Sequence, residues 1–371
     1  MSKLIHKAAH LTSVHPRYDT RIFIKMCSSL ANYYDVYLVV ADGLGDEIKN
    51  KVNIVDVGEK SDARLSRMTK TVCKVFKKAI ELDVDIYHLH DPELIPIGLK
   101  LKKLGKIVIF DSHEDTVKAL ENKPYLNPPL RILILLMYKL YEKYACRKFD
   151  AIITATPSIR EKFLKINPNS ININNFPLLD ELSNKLDSTA KKNKVAYIGY
   201  ISKVRGIENL VEAMFYTNSV KLCLVGEFDD KNLKKSIKLR RGWEKIKELG
   251  FLSRERVREI LAHSQVGIIT FLPAANHIES QPNKLFEYMS ASIPVVCSNF
   301  PLWREIVEKN QCGLCVNPLN SKDIGEAIQY LVDNPQEAKK MGKNGRKVIE
   351  EKYNWVIEEK KLLNQYIKFE K

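Results

Sequence analysis

The sequence predicts an α/β protein made of two consecutive doubly wound, Rossmann-like domains. Short β-branched runs alternate with longer amphipathic stretches along most of the chain, as parallel sheets covered by helices require. The alternation lapses over one polar stretch, 179–194, and then restarts. The length, 371 residues, exceeds the roughly 250–300 at which a single core stops growing.

In the first domain, 1–178, strands are expected at His6–Thr12, Asp35–Ala41, Val52–Val57, Asp85–His90, Lys106–Ser112, Asp150–Thr156 and Ser170–Phe176. Amphipathic helices are expected over Thr20–Tyr34 and Leu126–Phe149. The stretch 179–194 reads as a linker. The second domain, 195–352, places strands at Lys194–Tyr200, Ser219–Glu227, Trp243–Leu252, Gln265–Leu272, Ile293–Ser298 and Cys312–Pro318. The last segment, 353–371, is an amphipathic helix with no strand after it, and is expected to pack back on the first domain.

Composition excludes several classes. Hydrophobic content of 45% with 28% charge is that of a globular protein, not a disordered or fibrous one. No run of about 18 uncharged apolar residues offers a membrane span, and the first residues lack the apolar core of a signal peptide. A cytoplasmic location is expected. Seven dispersed cysteines read as reduced thiols, and the pair Cys312–Cys315 stands alone in an apolar run. The net charge of +15 fits nucleic acid, anionic lipid or phosphate-bearing small molecules as partners, or a plain solvated surface. No basic stripe with interleaved aromatics supports nucleic acid.

Ligands of doubly wound sheets bind outside the carboxyl ends of the strands. Four constellations fall there. The richest is HIESQPNKLFEYMSASIPVV, His277–Val296, with Glu279 and Glu287 on either side of a helix start. Ser280 suits the N-cap and Pro282 the first turn. The amides of Asn283, Lys284 and Leu285 would then form an anion site. Carboxylates beside an anion site suit hydroxyls flanking a phosphate, as in a nucleotide sugar. The same pattern also fits a capped helix with a solvated glutamate. The second constellation, after the strand ending at Gly199, sets Lys203 and Arg205 in a strand-to-helix turn, where cations bind phosphate.

The third is His113 with Glu114 after Lys106–Ser112, and the related His88, His90, Asp91 and Glu93 after the preceding strand. Two of these could ligate a metal, but no second cluster has ligand spacing in sequence, so zinc is not expected. The acidic pair Asp83 and Asp85 precedes its strand and reads as solvated. In the fourth, His15, Asp19 and Arg21 follow the first strand, with Asp19 as a helix N-cap.

Taken together, ESQPNKLFEYMSASIPVVCS, SKVRGIENLVEA, HLHDPELIPIG and DSHED resemble the retaining GT-B glycosyltransferases of glycosyltransferase family 4, of the bacterial surface-polysaccharide type. The resemblance runs in order over nearly the whole chain. It implies two domains facing across a deep cleft and transfer of a hexosyl or N-acetylhexosaminyl group from a nucleotide-diphosphate sugar, UDP-sugar favoured. The implied acceptor is a glycan hydroxyl, polyprenyl-diphosphate-linked, at the inner face of the cell membrane, in O-antigen or capsule synthesis. No cofactor or metal is implied.

The resemblance also assigns residues. Glu287 would bind the donor ribose and Glu279 the donor sugar. Arg205 with Lys203 would neutralise the diphosphate, and the amides of Asn283 to Leu285 would hold the distal phosphate. His113 would reach the sugar, and the base would lie near Gly250, Phe251 and Leu252. Gly199 would let the donor approach. His15, Asp19, Arg21, His90 and Asp91 fall on the acceptor side. Two departures stand out: Tyr200 follows Gly199 where the family often has arginine, and the first loop, SVHPRYDTR, is not glycine-rich. A nucleotide-sugar epimerase would share the architecture and is the rival enzyme reading.

Overall fold

The computed structural model describes residues 6–121, 128–182 and 193–370. The chain divides into two compact units, Met1–Asn175 with Val356–Lys371, and Phe176–Trp355. The first holds an eight-stranded sheet of β1 (Lys7–Leu11), β2 (Asp35–Val40), β3 (Glu47–Lys49), β4 (Val52–Asp56), β5 (Ile86–Leu89), β6 (Ile107–Ser112), β7 (Ala151–Thr154) and β8 (Ser170–Asn172). Their spatial order is β3-β4-β2-β1-β5-β6-β7-β8, and only β3 runs antiparallel, against β4. Every strand expected in this unit forms. Sequence periodicity missed β3, because three residues with two charges carry no strand signal.

The second unit holds β9 (Lys194–Ile198), β10 (Lys221–Val225), β11 (Ile246–Gly250), β12 (Val266–Ile269), β13 (Val295–Ser298) and β14 (Gly313–Val316), in the order β11-β10-β9-β12-β13-β14. All its pairings are parallel. Strands such as β12 and β13 are buried along their whole length, as helices on both faces demand. In each sheet the first strand lies between a neighbour on either side: β1 between β2 and β5, β9 between β10 and β12. These are the topological switch points, where a crevice opens outside the strand ends.

Most of the expected linker lies outside the described residues. The second unit begins at Phe176, earlier than the expected 195. Phe176 packs on Phe286 at 4.7 Å and on Tyr353 at 5.2 Å between ring centroids, and the Pro177 carbonyl accepts from the Trp355 amide. At the other end the helix Trp355–Ile367 joins the first unit, where Glu358 accepts from the Asn174 amide at 2.9 Å.

Two local geometries differ from a simple helical reading. Thr20–Cys27 forms a π-helical run, with Ile24 N bonded to Asp19 O; Asp19 caps it by accepting from the Arg21 and Ile22 amides. At the ends of β9 and β10, two glycines permit close backbone approach. Gly206 has φ 74°, and a Cβ there would fall 1.9 Å from Thr270 O; one at Gly226 would fall 1.8 Å from Gly199 O. The loops after β9, β10 and β12 are thereby stacked together at the switch point.

Candidate active site

In the second unit the basic loop and the two-glutamate loop are built against each other. Lys203–Arg205 is a single 3-10 turn closed by Gly206. The Leu272 amide, beyond β12, donates to Val204 O at 2.9 Å. The half-buried Arg205 guanidinium lies 5.3 Å from the Phe271 ring centroid and donates to Tyr200 O at 3.3 Å. Gly199 leaves room for it, since a Cβ there would meet Arg205 Nη1 at 3.3 Å. His277 packs on the same Phe271 ring at 4.9 Å. Burial and Arg205 hold its pKa below the usual value, against the Leu272 carbonyl that favours the charged form. Lys203 is exposed, 3.7 Å from Glu208.

Glu279 follows the turn Ala275–Ile278 and is exposed. The expected cap is corrected here. Pro282, not Ser280, is the N-cap residue of the helix Asn283–Ser290, and no side chain caps it. The Ser280 hydroxyl donates instead to His277 O, while Trp303 Nε1 donates to Ser280 O at 2.8 Å. Anchored at both points, the loop cannot bring Ser280 over the helix end. The anion site is also narrower than expected. Leu285 N donates to Pro282 O at 3.0 Å and its side chain is buried in the core, leaving Asn283 and Lys284 to present the opening amides.

Glu287, one turn in, is buried and doubly held. Lys284 Nζ donates to it at 2.6 Å and Arg254 Nη1 at 3.1 Å. Burial opposes ionisation, but the two cations outweigh it and keep the carboxyl below its ordinary range. Arg254, which opens the helix Arg254–Ala262 after β11, also donates to Glu181 at 2.6 Å. Sequence reading missed Arg254; its signal was a cation two residues beyond Leu252, at the end of the adjacent strand. Phe251 is 77% exposed, whereas Leu252 packs on the core. Arg205, Glu279, Glu287, Gly250 and the opening amides thus share the carboxyl edge of one sheet.

The first unit carries a buried histidine chain. Tyr366 OH lies 2.9 Å from His88 Nδ1 and 3.1 Å from His10 Nε2. His10 Nδ1 lies 2.8 Å from His90 Nε2, and His90 Nδ1 lies 3.3 Å from Asp111. Asp111 is gripped by Arg21 at 2.8 and 2.7 Å and by His113 Nε2 at 3.0 Å. A carboxylate needs donors, so the protons run one way: His88 to Tyr366, Tyr366 to His10, His10 to His90, His90 to Asp111. Each histidine is then neutral. Burial agrees: it holds His10 and His88 well below the usual imidazole value, and brings His90 down to about 4.

This geometry revises the acceptor-side residues. Arg21 is committed to Asp111 and, through Nη1, to Ile173 O. His90 is buried, and Asp91 accepts from Thr12 and Ser13. Asp19 is the helix cap. His15 and His113 keep partial exposure; their rings lie 5.0 Å apart. His15 sits 3.4 Å from both Asp19 and Asp91; burial works against its charged form, but these carboxylates raise its pKa overall. Sequence spacing showed no second cluster beside His88 and His90, but folding brings further side chains to them. His10, His88 and His90, and separately His90, Asp111 and His113, bring one ligand atom each within 4.8 Å of the others. The first group draws His10 from a strand far away in sequence, which spacing alone cannot reveal. Cys315 Sγ lies 3.5 Å from Cys297, on the neighbouring strand, not from Cys312.

Two largely parallel sheets, each with a topological switch point, and a basic loop built against the two-glutamate loop are the features of the GT-B class of sugar-transferring enzymes. Comparison with known proteins agrees. Residues 21–173 match the family described as Glycosyltransferase Family 4, and residues 180–348 match Glycosyl transferases group 1. The chain belongs to the glycosyltransferases of family 4 type. It is 24% identical to a capsular polysaccharide biosynthesis glycosyltransferase of Staphylococcus aureus, over 90% of each chain. It is 21% identical to an uncharacterized glycosyltransferase of Methanocaldococcus jannaschii, over 76% of this chain and 75% of that one. Among solved structures, sucrose-phosphate synthase from Thermosynechococcus elongatus superposes with a TM-score of 0.79 at 17% identity, over 98% of both chains. Anabaena HepE in complex with UDP-glucose gives 0.74 at 15% identity, over 98% of this chain and 99% of that one.

Proposed function

We propose that this glycosyltransferase moves a hexosyl or N-acetylhexosaminyl group from a UDP-sugar to a hydroxyl of a polyprenyl-diphosphate-linked glycan, with retention of configuration. The setting is bacterial surface-polysaccharide synthesis on the cytoplasmic membrane face. One observation carries the donor half: the Arg205 loop is hydrogen-bonded onto the strand end that leads to Glu279 and Glu287. The Anabaena protein's complex with UDP-glucose supports the choice of nucleotide. The Staphylococcus relative's capsular role supports the acceptor class.

The chemistry follows from charge. The bond between the anomeric carbon and the diphosphate breaks, leaving negative charge on the distal phosphate. In this reading Arg205, Lys203 and the Asn283 and Lys284 amides stabilise that charge, in the role a metal plays elsewhere. The acceptor oxygen bonds to the anomeric carbon from the departing face, and its proton passes to the leaving phosphate. Glu279 orients the sugar, and Glu287, fixed by Arg254 and Lys284, accepts from the ribose hydroxyls. His113, whose Nε2 donates to Asp111, would accept from a sugar hydroxyl through Nδ1.

Glu287→Ala is expected to weaken UDP binding by about 1.5–3 kcal/mol, the scale of a hydrogen bond to a charged group. Calorimetric titration of UDP measures it. Equal affinity in the variant would remove the ribose assignment.

A further inference from the structure

The helix Pro128–Cys146 has a face that its own unit leaves uncovered. Its sequence, rich in leucine and isoleucine, reads first as a core-facing helix. Instead Ile132, Leu133, Leu136, Met137, Leu140 and Tyr144 are each 54–66% exposed. At 100° per residue they fill one broad sector of the helix surface. Contiguous exposed apolar surface of this kind marks an interaction site.

We propose that this face docks on an anionic lipid bilayer, lying in its interface. Charge chooses the occupant. Lys139 and Lys148 border the sector, Lys143 and Arg147 close its C-terminal end, all four are exposed, and Lys148 Nζ bonds the Tyr144 hydroxyl at 2.6 Å. The helix has one carboxylate, Glu142, which is buried and paired with Lys162. The adjoining helix Ile95–Lys103 ends in Lys100, Lys102 and Lys103. An apolar face rimmed by cations is the make-up of an interfacial helix, with the lysine stems lying along the apolar surface and their ammonium groups at headgroup level.

A second copy fits less well. Leu130, Leu133, Met137, Leu140 and Tyr144 have coiled-coil spacing, but over two heptads only, where three or four are needed. Ile132 and Leu136 widen the stripe beyond a seam, and paired helices would set like charges together with no exposed carboxylate between them. No helix among the described residues is long and apolar enough to cross a membrane, so the contact is a surface one.

This deepens the membrane-face acceptor reading by naming the element that makes the contact. Its test uses neither donor nor acceptor, so either idea can fail alone. The full chain is sedimented with phosphatidylcholine vesicles containing phosphatidylglycerol, and with phosphatidylcholine alone. Wild type is expected to pellet with the anionic vesicles at low salt and to be partly released as salt screens the cations. Leu133→Glu with Met137→Glu changes only exposed positions and is expected to weaken vesicle binding by roughly ten-fold or more, with an unchanged circular dichroism melt. Failure of wild type to pellet at low salt would overturn the proposal, as would equal pelleting of the variant. A dimer in light scattering that the variant dissolves would assign the face to a second copy instead.

Discussion

Arg205→Ala is expected to lower the turnover number by roughly 10²–10³-fold while changing donor affinity far less, because the charge it meets develops as the bond breaks. The geometry argues for a transition-state role. The guanidinium is held by the Tyr200 carbonyl and lies over the Phe271 ring, pre-aimed before any donor arrives. Lys203, exposed and tethered only loosely to Glu208, cannot take over with the same orientation. Steady-state kinetics with saturating donor, beside a UDP titration, separate the two effects. Loss of affinity with intact turnover would count against charge stabilisation by Arg205.

Acidification is expected to destabilise the first unit steeply between pH 7.5 and 5.5. His10, His88 and His90 are buried, neutral and held below the ordinary imidazole value. The unfolded chain therefore takes up protons that the folded chain refuses, and stability falls as pH drops below the unfolded value near 6.5. Across that whole interval each histidine contributes about 1.4 kcal/mol, so three give about 4 kcal/mol. His15 works the other way: its raised pKa adds stability that is present below about 6.5 and lost at higher pH, offsetting part of the fall. The depressed carboxyls of Glu287 and Asp111 act in a separate window, below the ordinary carboxylate range near pH 4. Protonation also breaks the hydrogen-bond chain, since an added proton on His90 Nε2 faces the donor on His10. Denaturant unfolding at the two pH values is expected to show a net loss of about 3 kcal/mol. Stability that is flat or rising toward pH 5.5 would contradict the neutral chain.

The legible parts of this protein were those written in local pattern. Periodicity in β1, β5 or β12 is set by burial on both sheet faces, so the residues themselves announce it. Asp19 capped its helix as expected because capping is a two-residue matter. What escaped was non-local. His10 meets His90 across neighbouring strands, Arg254 meets Glu287 from another helix, and Tyr366 reaches His10 from the far end of the chain. Nothing in a neighbouring residue signals such contacts. The helix Pro128–Cys146 shows a different limit, since leucine at helical spacing looks the same whether protein or solvent covers it. Ser280 shows a third: a good capping residue was drawn off by a nearer carbonyl, that of His277.

The central claim is sugar transfer with retention from a nucleotide-diphosphate donor. It is tested most directly by incubating the chain with a UDP-sugar, with and without a polyprenyl-diphosphate-linked glycan, and reading the product by NMR. The account predicts that UDP release depends on the acceptor, and that the new linkage keeps the donor's anomeric configuration. An inverted linkage, or a free epimerised sugar formed without acceptor, would contradict it.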